Sequence, residues 1–196
     1  MLGLIDVRLE RITEAEERLR PWVMKHKDFN HAFFLAHFYY SAGLKKECIA
    51  ALREANQWPI NTLWVRWRET KEMQGSLTGE SCAWYAAMLA YREDELDLCL
   101  AICDKWEKYI RTEKKYGDPA YGVFRAACYL RQGKFEEAKE QMKATVNGPN
   151  YVTTRGEHAD ELFKAVERRD RAFRYRPNKG KDNAGPELWN ILVDYR

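Results

Sequence analysis

Residues 125–149 read RAACYLRQGKFEEAKEQMKATVNGP, which is two stretches of helical periodicity separated by one glycine. Apolar residues recur every three to four positions on both sides of Gly133, the spacing that places them on one face of a helix. Gly133 supplies the left-handed backbone conformation that often ends a helix, and Pro149 marks the end of the second one. The stretch therefore predicts a hairpin of two amphipathic helices.

The same pattern occurs upstream, where residues 35–59 read LAHFYYSAGLKKECIAALREANQWP. The offset between the two stretches is the same at every shared position. Ala36, Tyr39, Gly43, Cys48 and Pro59 match Ala126, Tyr129, Gly133, Ala138 and Pro149. A weaker copy lies between them and has an aspartate in place of the turn glycine. Its matching residues are Ala87, Asp94, Leu96, Cys99, Cys103 and Trp106.

This order of small residue, tyrosine, glycine, alanine and proline resembles the tetratricopeptide (TPR) repeat. The resemblance covers about residues 28–150 and implies an all-α fold, a right-handed α-solenoid of about three TPR-like helix pairs. The pairs are expected at about 29–60, 80–110 and 119–150. The middle copy departs from the regular period of roughly 34 residues, so it is expected to lie among insertions.

The remaining segments are expected to complete one helical-repeat domain over residues 1–176. Ile5, Leu9 and Ile12 share one helical face, which predicts an N-terminal capping helix interrupted or kinked at Pro21. After Pro59, the spacing of apolar residues predicts an inserted helix before a loop at 75–79. The residues that predict it are Leu63, Trp64, Trp67 and Met73. Residues 177–196 are expected to form a flexible linker and a short amphipathic C-terminal segment.

Composition argues against several classes of function. The net charge is +3 with acidic and basic residues interleaved, which makes nucleic acid an unlikely partner. The N-terminus has no uninterrupted apolar run, so we expect neither a signal peptide nor a membrane span. The five cysteines contain no C-x-x-C pair, which favours the cytoplasm or another reducing compartment.

Motifs of catalysis and metal binding are missing from the sequence. It contains no Gly-rich phosphate loop, no H-E-x-x-H and no G-x-S-x-G, so we expect no enzyme and no cofactor. Cys99 and Cys103 lie one helical turn apart, but a metal would need further ligands. The histidines offer no second pair at ligand spacing, so core packing of the cysteines is the expectation and a metal site is not. These histidines are His26, His31, His37 and His158.

The resemblance also implies a binding surface, because the first helix of each TPR pair lines the concave side of the solenoid. The inward-facing positions of the family correspond here to Asn30, Phe33, His37, Tyr40, Ser81, Trp84, Met88, Tyr91, Val123, Ala127 and Arg131. Phe33 and His37 stand where a carboxylate clamp would need a cation and an amide. We therefore expect an adaptor or scaffold that binds a protein or peptide with an apolar or mixed segment.

Three alternatives remain open at this level. Phe33 and Trp84 can equally pack between helices, and their surface exposure decides between the two roles. The chain can be a structural subunit of a larger multiprotein assembly, with large exposed apolar patches. It can be an RNA-associated repeat protein if the arginines at 168–176 share a face with Arg66 and Arg68.

Overall fold

The computed structural model describes residues 12–61, 65–68, 74–77, 79–113, 120–146 and 157–176. These residues form eight α-helices and one short pair of β-strands. The helices are α1 Ile12–His26, α2 Phe29–Ser41, α3 Lys45–Ala55, α4 Gly79–Arg92, α5 Leu96–Glu113, α6 Ala120–Gln132, α7 Phe135–Val146 and α8 Glu157–Glu167. The strands are β1 Val65–Arg68 and β2 Gln74–Leu77. The predominantly helical fold class predicted from the sequence is confirmed, and residues 177–196 lie outside the described part.

The prediction of an inserted helix after Pro59 is wrong, because this region contains a pair of β-strands. Strand β1 pairs antiparallel with β2, with Val65 opposite Leu77 and Arg68 opposite Gln74. The sequence of β1, VRWR, alternates apolar and basic residues and carries β-branched and aromatic side chains, which favour an extended strand. Residues four apart lie on one face of a strand as well as of a helix, so the spacing of Leu63 and Trp67 did not distinguish the two.

Three helical hairpins share one turn geometry at corresponding residues. In the first turn, the amide of Gly43 donates to the carbonyl of Tyr40 at 3.0 Å and that of Leu44 to Tyr39 at 2.8 Å. The same two bonds recur in the other two turns. The residues at the glycine position, Gly43, Asp94 and Gly133, have φ of 76°, 65° and 79°. The middle copy therefore keeps the turn although an aspartate replaces the glycine.

The chain divides into two compact units, and the division falls inside helix α4 between Ala83 and Trp84. In the first unit, α1 packs against α2 and α2 packs against α3. Helix α1 continues through Pro21, so the proline does not end it. The centre of this unit consists of fully buried side chains that include Phe29, Phe33, Leu35, Phe38 and Leu52.

The second unit contains the rest of the described chain. Helix α6 packs against both α5 and α7, and α8 packs against α6 and α7. Its fully buried large side chains are Leu89, Ile102, Trp106, Phe124, Leu130, Met142 and Leu162. Ala159, Leu162 and Val166 are buried on one face of α8, as its apolar stripe predicts. No helix in the described residues is long and apolar enough to cross a membrane.

Candidate functional site

The residues predicted on α2 lie mostly in the interior of the first unit. Asn30, Phe33 and His37 are buried, whereas Tyr40 is half-buried. The Asn30 side-chain amide donates to the carbonyl of Asn61 at 2.9 Å. Burial lowers the pKa of His37 to about 4, and its Nδ1 lies 3.2 Å from the hydroxyl of Ser41. These three side chains therefore hold their own unit together.

The residues of α4 and α6 that were predicted to bind a partner are also partly buried and partly half-buried. Met88, Tyr91, Val123 and Ala127 are buried, while Trp84 and Arg131 are half-buried. The side chain of Ser81 is not in the described part of the chain.

Seven of the predicted positions are buried and are not accessible in this structure: Asn30, Phe33, His37, Met88, Tyr91, Val123 and Ala127. The reason is energetic, because burying one large apolar side chain between helices stabilises the fold by about 1.5–3 kcal/mol. The sequence pattern does not report how much of each helix the neighbouring elements cover. Partner binding stays a prediction for Tyr40, Trp84 and Arg131.

Helices α4 and α6, the first helices of the second and third hairpins, carry an aromatic cluster of Trp84, Tyr91 and Phe124. The ring centroids of Trp84 and Phe124 lie 6.0 Å apart in an edge-to-face arrangement, and those of Tyr91 and Phe124 lie 6.4 Å apart. The guanidinium of Arg131 lies 5.4 Å from the centre of the Tyr91 ring and pairs with the carboxylate of Asp94. The structure therefore brings Trp84, Tyr91 and Arg131 of the predicted set together on one face.

A segment after α8 lies on this aromatic cluster. Arg169, at φ 56°, reverses the chain after α8 with the same amide bonds as the hairpin turns. The residues that follow, Arg171–Tyr175, are not helical and are called the C-terminal strap below. The ring of Tyr175 lies 5.6 Å from Phe124 and 6.4 Å from Tyr91, and its backbone amide donates to the Tyr91 hydroxyl at 3.1 Å.

Arginines in and beside the C-terminal strap bond to the chain itself, and Arg171 fastens the strap to α6. The Nε and Nη2 atoms of Arg171 donate to the carbonyl of Arg131, each at 3.3 Å. Arg174 donates to the carbonyls of Arg171 and Ala172 at 3.2 and 3.1 Å. Arg169 pairs with Glu136 at 3.1 Å and lies over the ring of Phe135. Much of the basic segment therefore bonds to the chain itself.

Tyr175 was not among the residues predicted from the sequence, although a signal was present. Residues 171–176 read RAFRYR, in which Arg and aromatic residues alternate from Phe173 onward. Alternation with a period of two is typical of extended backbone, in which Phe173 and Tyr175 point to the same side.

A second cluster joins the end of α1 to the start of α2 and consists of His26, Asp28 and His31. Asp28 caps α2 by accepting the His31 amide at 2.9 Å, and its two carboxylate oxygens lie 2.7 and 2.8 Å from the Nδ1 of His31. The rings of His26 and His31 are stacked, with centroids 3.9 Å apart and planes at 2°. One potential ligand atom from each residue lies within 4.8 Å of the other two.

Electrostatics keep the carboxylate of this cluster ionised. Burial raises the pKa of Asp28, but hydrogen bonds from His31 and from the Asn61 side chain outweigh it, and the pKa is lowered. The expectation that the histidines form no metal-ligand set overlooked this carboxylate. The signal was the spacing H-x-D-x-x-H across a helix end, where Lys27 takes the left-handed conformation at φ 48°.

The buried cysteines and the buried arginine have structural roles. All five cysteines are free and buried, as predicted, and burial raises the pKa of the Cys82 and Cys99 thiols. Arg125 on α6 pairs with Asp104 and Glu107 on α5, which ties these helices together. Enclosed thiols and a buried guanidinium that pairs with two carboxylates are typical of a core.

No family model, curated protein or solved structure matches this chain. The resemblance to TPR repeats therefore depends on the residues of the repeats themselves. Function has to be argued from the geometry of the described residues.

Proposed function

We propose that this protein is a non-catalytic protein-interaction module of TPR-like helical repeats. The three sequence copies place their turns in register, with Gly43, Asp94 and Gly133 in the left-handed conformation at the aligned position, which supports a repeat built from one kind of helix pair. Stacked helix pairs present the side chains of their first helices on one surface, and such surfaces bind peptides or helices. The proposal includes no catalysis and no cofactor.

One observation carries the proposal: a non-helical segment of the chain, the C-terminal strap, already lies on helices α4 and α6 of the second unit. The C-terminal strap places Tyr175 against Tyr91 of α4 and Phe124 of α6. Backbone of the strap donates to a side chain of the face, and a side chain of the strap donates to backbone of the face. These are the contacts that an extended peptide ligand makes with a protein groove.

The same contacts indicate the chemistry of the ligand. Arg171 donates to the carbonyl of Arg131 in the last turn of α6, where the partial negative charge of a helix end favours a cation. Tyr175, four residues later, fills the aromatic cluster. We therefore propose a ligand that is an extended segment with a basic residue four positions before an aromatic one, which competes with the strap for this face.

The two alternative functions have less support. Among the described residues, the exposed large apolar side chains are Met24 and Val146, so this part of the chain gives no support for the apolar patches of a subunit buried in an assembly. The RNA alternative required arginines on one open face, but Arg169, Arg171 and Arg174 bond to the chain itself. The side chains of Arg66 and Arg68 lie outside the described part.

The test uses the full-length chain and a fluorescent peptide of sequence RAFRYR. Replacing Phe173 and Tyr175 together by Ala should release the strap and leave the face open. This double variant should bind the peptide at least about tenfold more tightly than the wild type, whose own strap is present at a high effective concentration. Fluorescence anisotropy gives both affinities, and circular dichroism verifies the helical content.

Two controls make the result specific. A peptide with both aromatic residues replaced by Ala should not bind the open variant. Ala172→Ser, an exposed substitution within the strap, should behave as the wild type. Equal affinity of wild type and open variant, or equal binding of both peptides, would contradict the proposal.

A further inference from the structure

We propose that His26, Asp28 and His31 form a binding site for a divalent transition-metal ion of the zinc class. Two imidazoles and one carboxylate are a ligand set that Zn²⁺ and its neighbours in the first transition row accept. Donor atoms of all three residues already lie within 4.8 Å of one another. The three residues come from the last turn of α1, the N-cap of α2 and the first turn of α2, so a bound ion would fasten two helices together.

The distances allow an ion to enter with small movements of side chains. Metal bonds to imidazole nitrogen and carboxylate oxygen of about 2.0–2.2 Å place two ligand atoms of a tetrahedral ion roughly 3.3 Å apart. The Nδ1 of His31 and the nearer Asp28 oxygen are 2.7 Å apart and have to separate slightly. His26 is exposed at the end of α1, so its ring can turn out of the stack and direct a nitrogen at the same point.

Neighbouring groups fix the orientation of the ligand side chains, as hydrogen bonds around a metal site do. Asp28 is buried, and the backbone of His31 and the side chain of Asn61 donate to it at 2.9 and 3.2 Å, which fixes the carboxylate. The ring of Trp22 lies edge-on to His31 at 4.4 Å and to His26 at 5.8 Å, and forms an apolar wall. Three protein ligands leave a fourth position open for water or for a group of a partner.

The cap of α2 explains part of this cluster but not all of it. Capping requires one oxygen of Asp28 and the amide of His31. The position of the His26 ring against His31 adds nothing to that cap, whereas a metal site needs a third donor at this place. His26 is therefore the residue that distinguishes a metal site from a helix cap.

The experiment titrates the tag-free, full-length protein with Zn²⁺ by isothermal calorimetry under reducing conditions. We expect one ion per chain, and binding that weakens at least about tenfold in His26→Ala. Because His26 is exposed and outside the cap, this variant should keep the helical content and the melting temperature of the metal-free wild type. Lys25→Ala, an exposed neighbour on the same helix, is the matched control and should bind as the wild type does.

A second measurement identifies the ligands. Co²⁺ bound by histidine and aspartate shows visible ligand-field bands without the ultraviolet charge-transfer band of a thiolate, and Zn²⁺ should displace it. Loss of the bands in His26→Ala supports the site. Failure to bind either ion, equal binding by wild type and His26→Ala, or a thiolate band from the cysteines would overturn the proposal.

Discussion

At the scale of single residues, His37 shows how burial changes the chemistry of a side chain. The sequence pattern placed it on a binding surface, but it lies inside the first unit, and burial lowers its pKa to about 4. The folded protein therefore holds a neutral imidazole at neutral pH. A histidine in an unfolded chain has a pKa of about 6.5, so protonation favours unfolding.

The pH dependence of stability follows from this difference. Because the pKa is lower in the folded state, the contribution of His37 is complete above about pH 6.5 and decreases as the pH falls toward about 4. The wild type should lose about 2 kcal/mol of unfolding free energy between about pH 7 and pH 5 through this residue. His37→Gln should lose correspondingly less over the same interval in urea titrations. Parallel pH profiles of the two proteins would show that His37 is not responsible.

A second prediction at this scale concerns Gly122, where α6 approaches α7. A Cβ atom added at Gly122 would collide with the hydroxyl oxygen of Thr145 and lie 3.0 Å from the Nε2 of Gln141. Alanine normally stabilises a helix relative to glycine by up to about 1 kcal/mol, but overpacking costs about 1–3 kcal/mol. We expect Gly122→Ala to destabilise the protein in chemical denaturation.

The control for Gly122 is a double variant. Thr145→Ala removes the colliding oxygen and leaves the Thr145 Cβ at 3.4 Å from the added methyl group, an ordinary contact. Gly122→Ala combined with Thr145→Ala should therefore be less destabilised than the two single effects added together. Simple additivity would show that the two helices are not in close contact here.

At the scale of elements, the helical hairpins depend on the residue in the left-handed conformation. Nothing lies within 4 Å of a Cβ atom placed at Gly43, so a substitution there changes the backbone conformation alone. With φ at 76°, Gly43→Ala should cost about 1 kcal/mol, and Gly43→Asn should cost less because asparagine tolerates this conformation. Urea denaturation measures both, and equal costs would argue against backbone strain as the cause.

The hairpins were predictable from the sequence because their signals are local. Gly43 and Gly133 mark turns, and apolar spacing marks the helices on either side of them. Even the middle hairpin was located by its alignment, although Asp94 replaces glycine there and reaches φ 65° with its carboxylate paired to Arg131. Aspartate is one of the few other residues that adopt this conformation.

The features that were missed depend on three-dimensional contacts or on an unusual backbone conformation. Tyr175 finds its place only because Tyr91 and Phe124 come together on α4 and α6. The histidine cluster exists because Lys27, an ordinary residue, adopts φ 48° and folds the chain back at Asp28. Sequence patterns can mark these residues as candidates but do not contain the contacts that place them, and for the same reason the repeat pattern overestimated the exposure of α2, α4 and α6.

At the scale of the whole molecule, helix α4 is the element common to both compact units. The division falls between Ala83 and Trp84, and both Ala83 and Ala86 are fully buried. When one unit unfolds, part of this helix loses the packing that stabilises it, and short helices are marginal without packing. We therefore expect the two units to unfold together in one transition, as neighbouring repeats in helical-repeat proteins do.

The buried cysteines make this expectation measurable, because each unit carries its own set. Cys48 and Cys82 belong to the first unit, and Cys99, Cys103 and Cys128 belong to the second. Pulsed thiol labelling at increasing urea, read by mass spectrometry, should give the same midpoint for both sets in the wild type.

Ala83→Gly weakens the common helix by about 1 kcal/mol and should separate the two midpoints. Ala144→Gly, at an exposed position of α7, should weaken its helix without separating them. Two distinct midpoints in the wild type would mean that helix α4 does not couple the units.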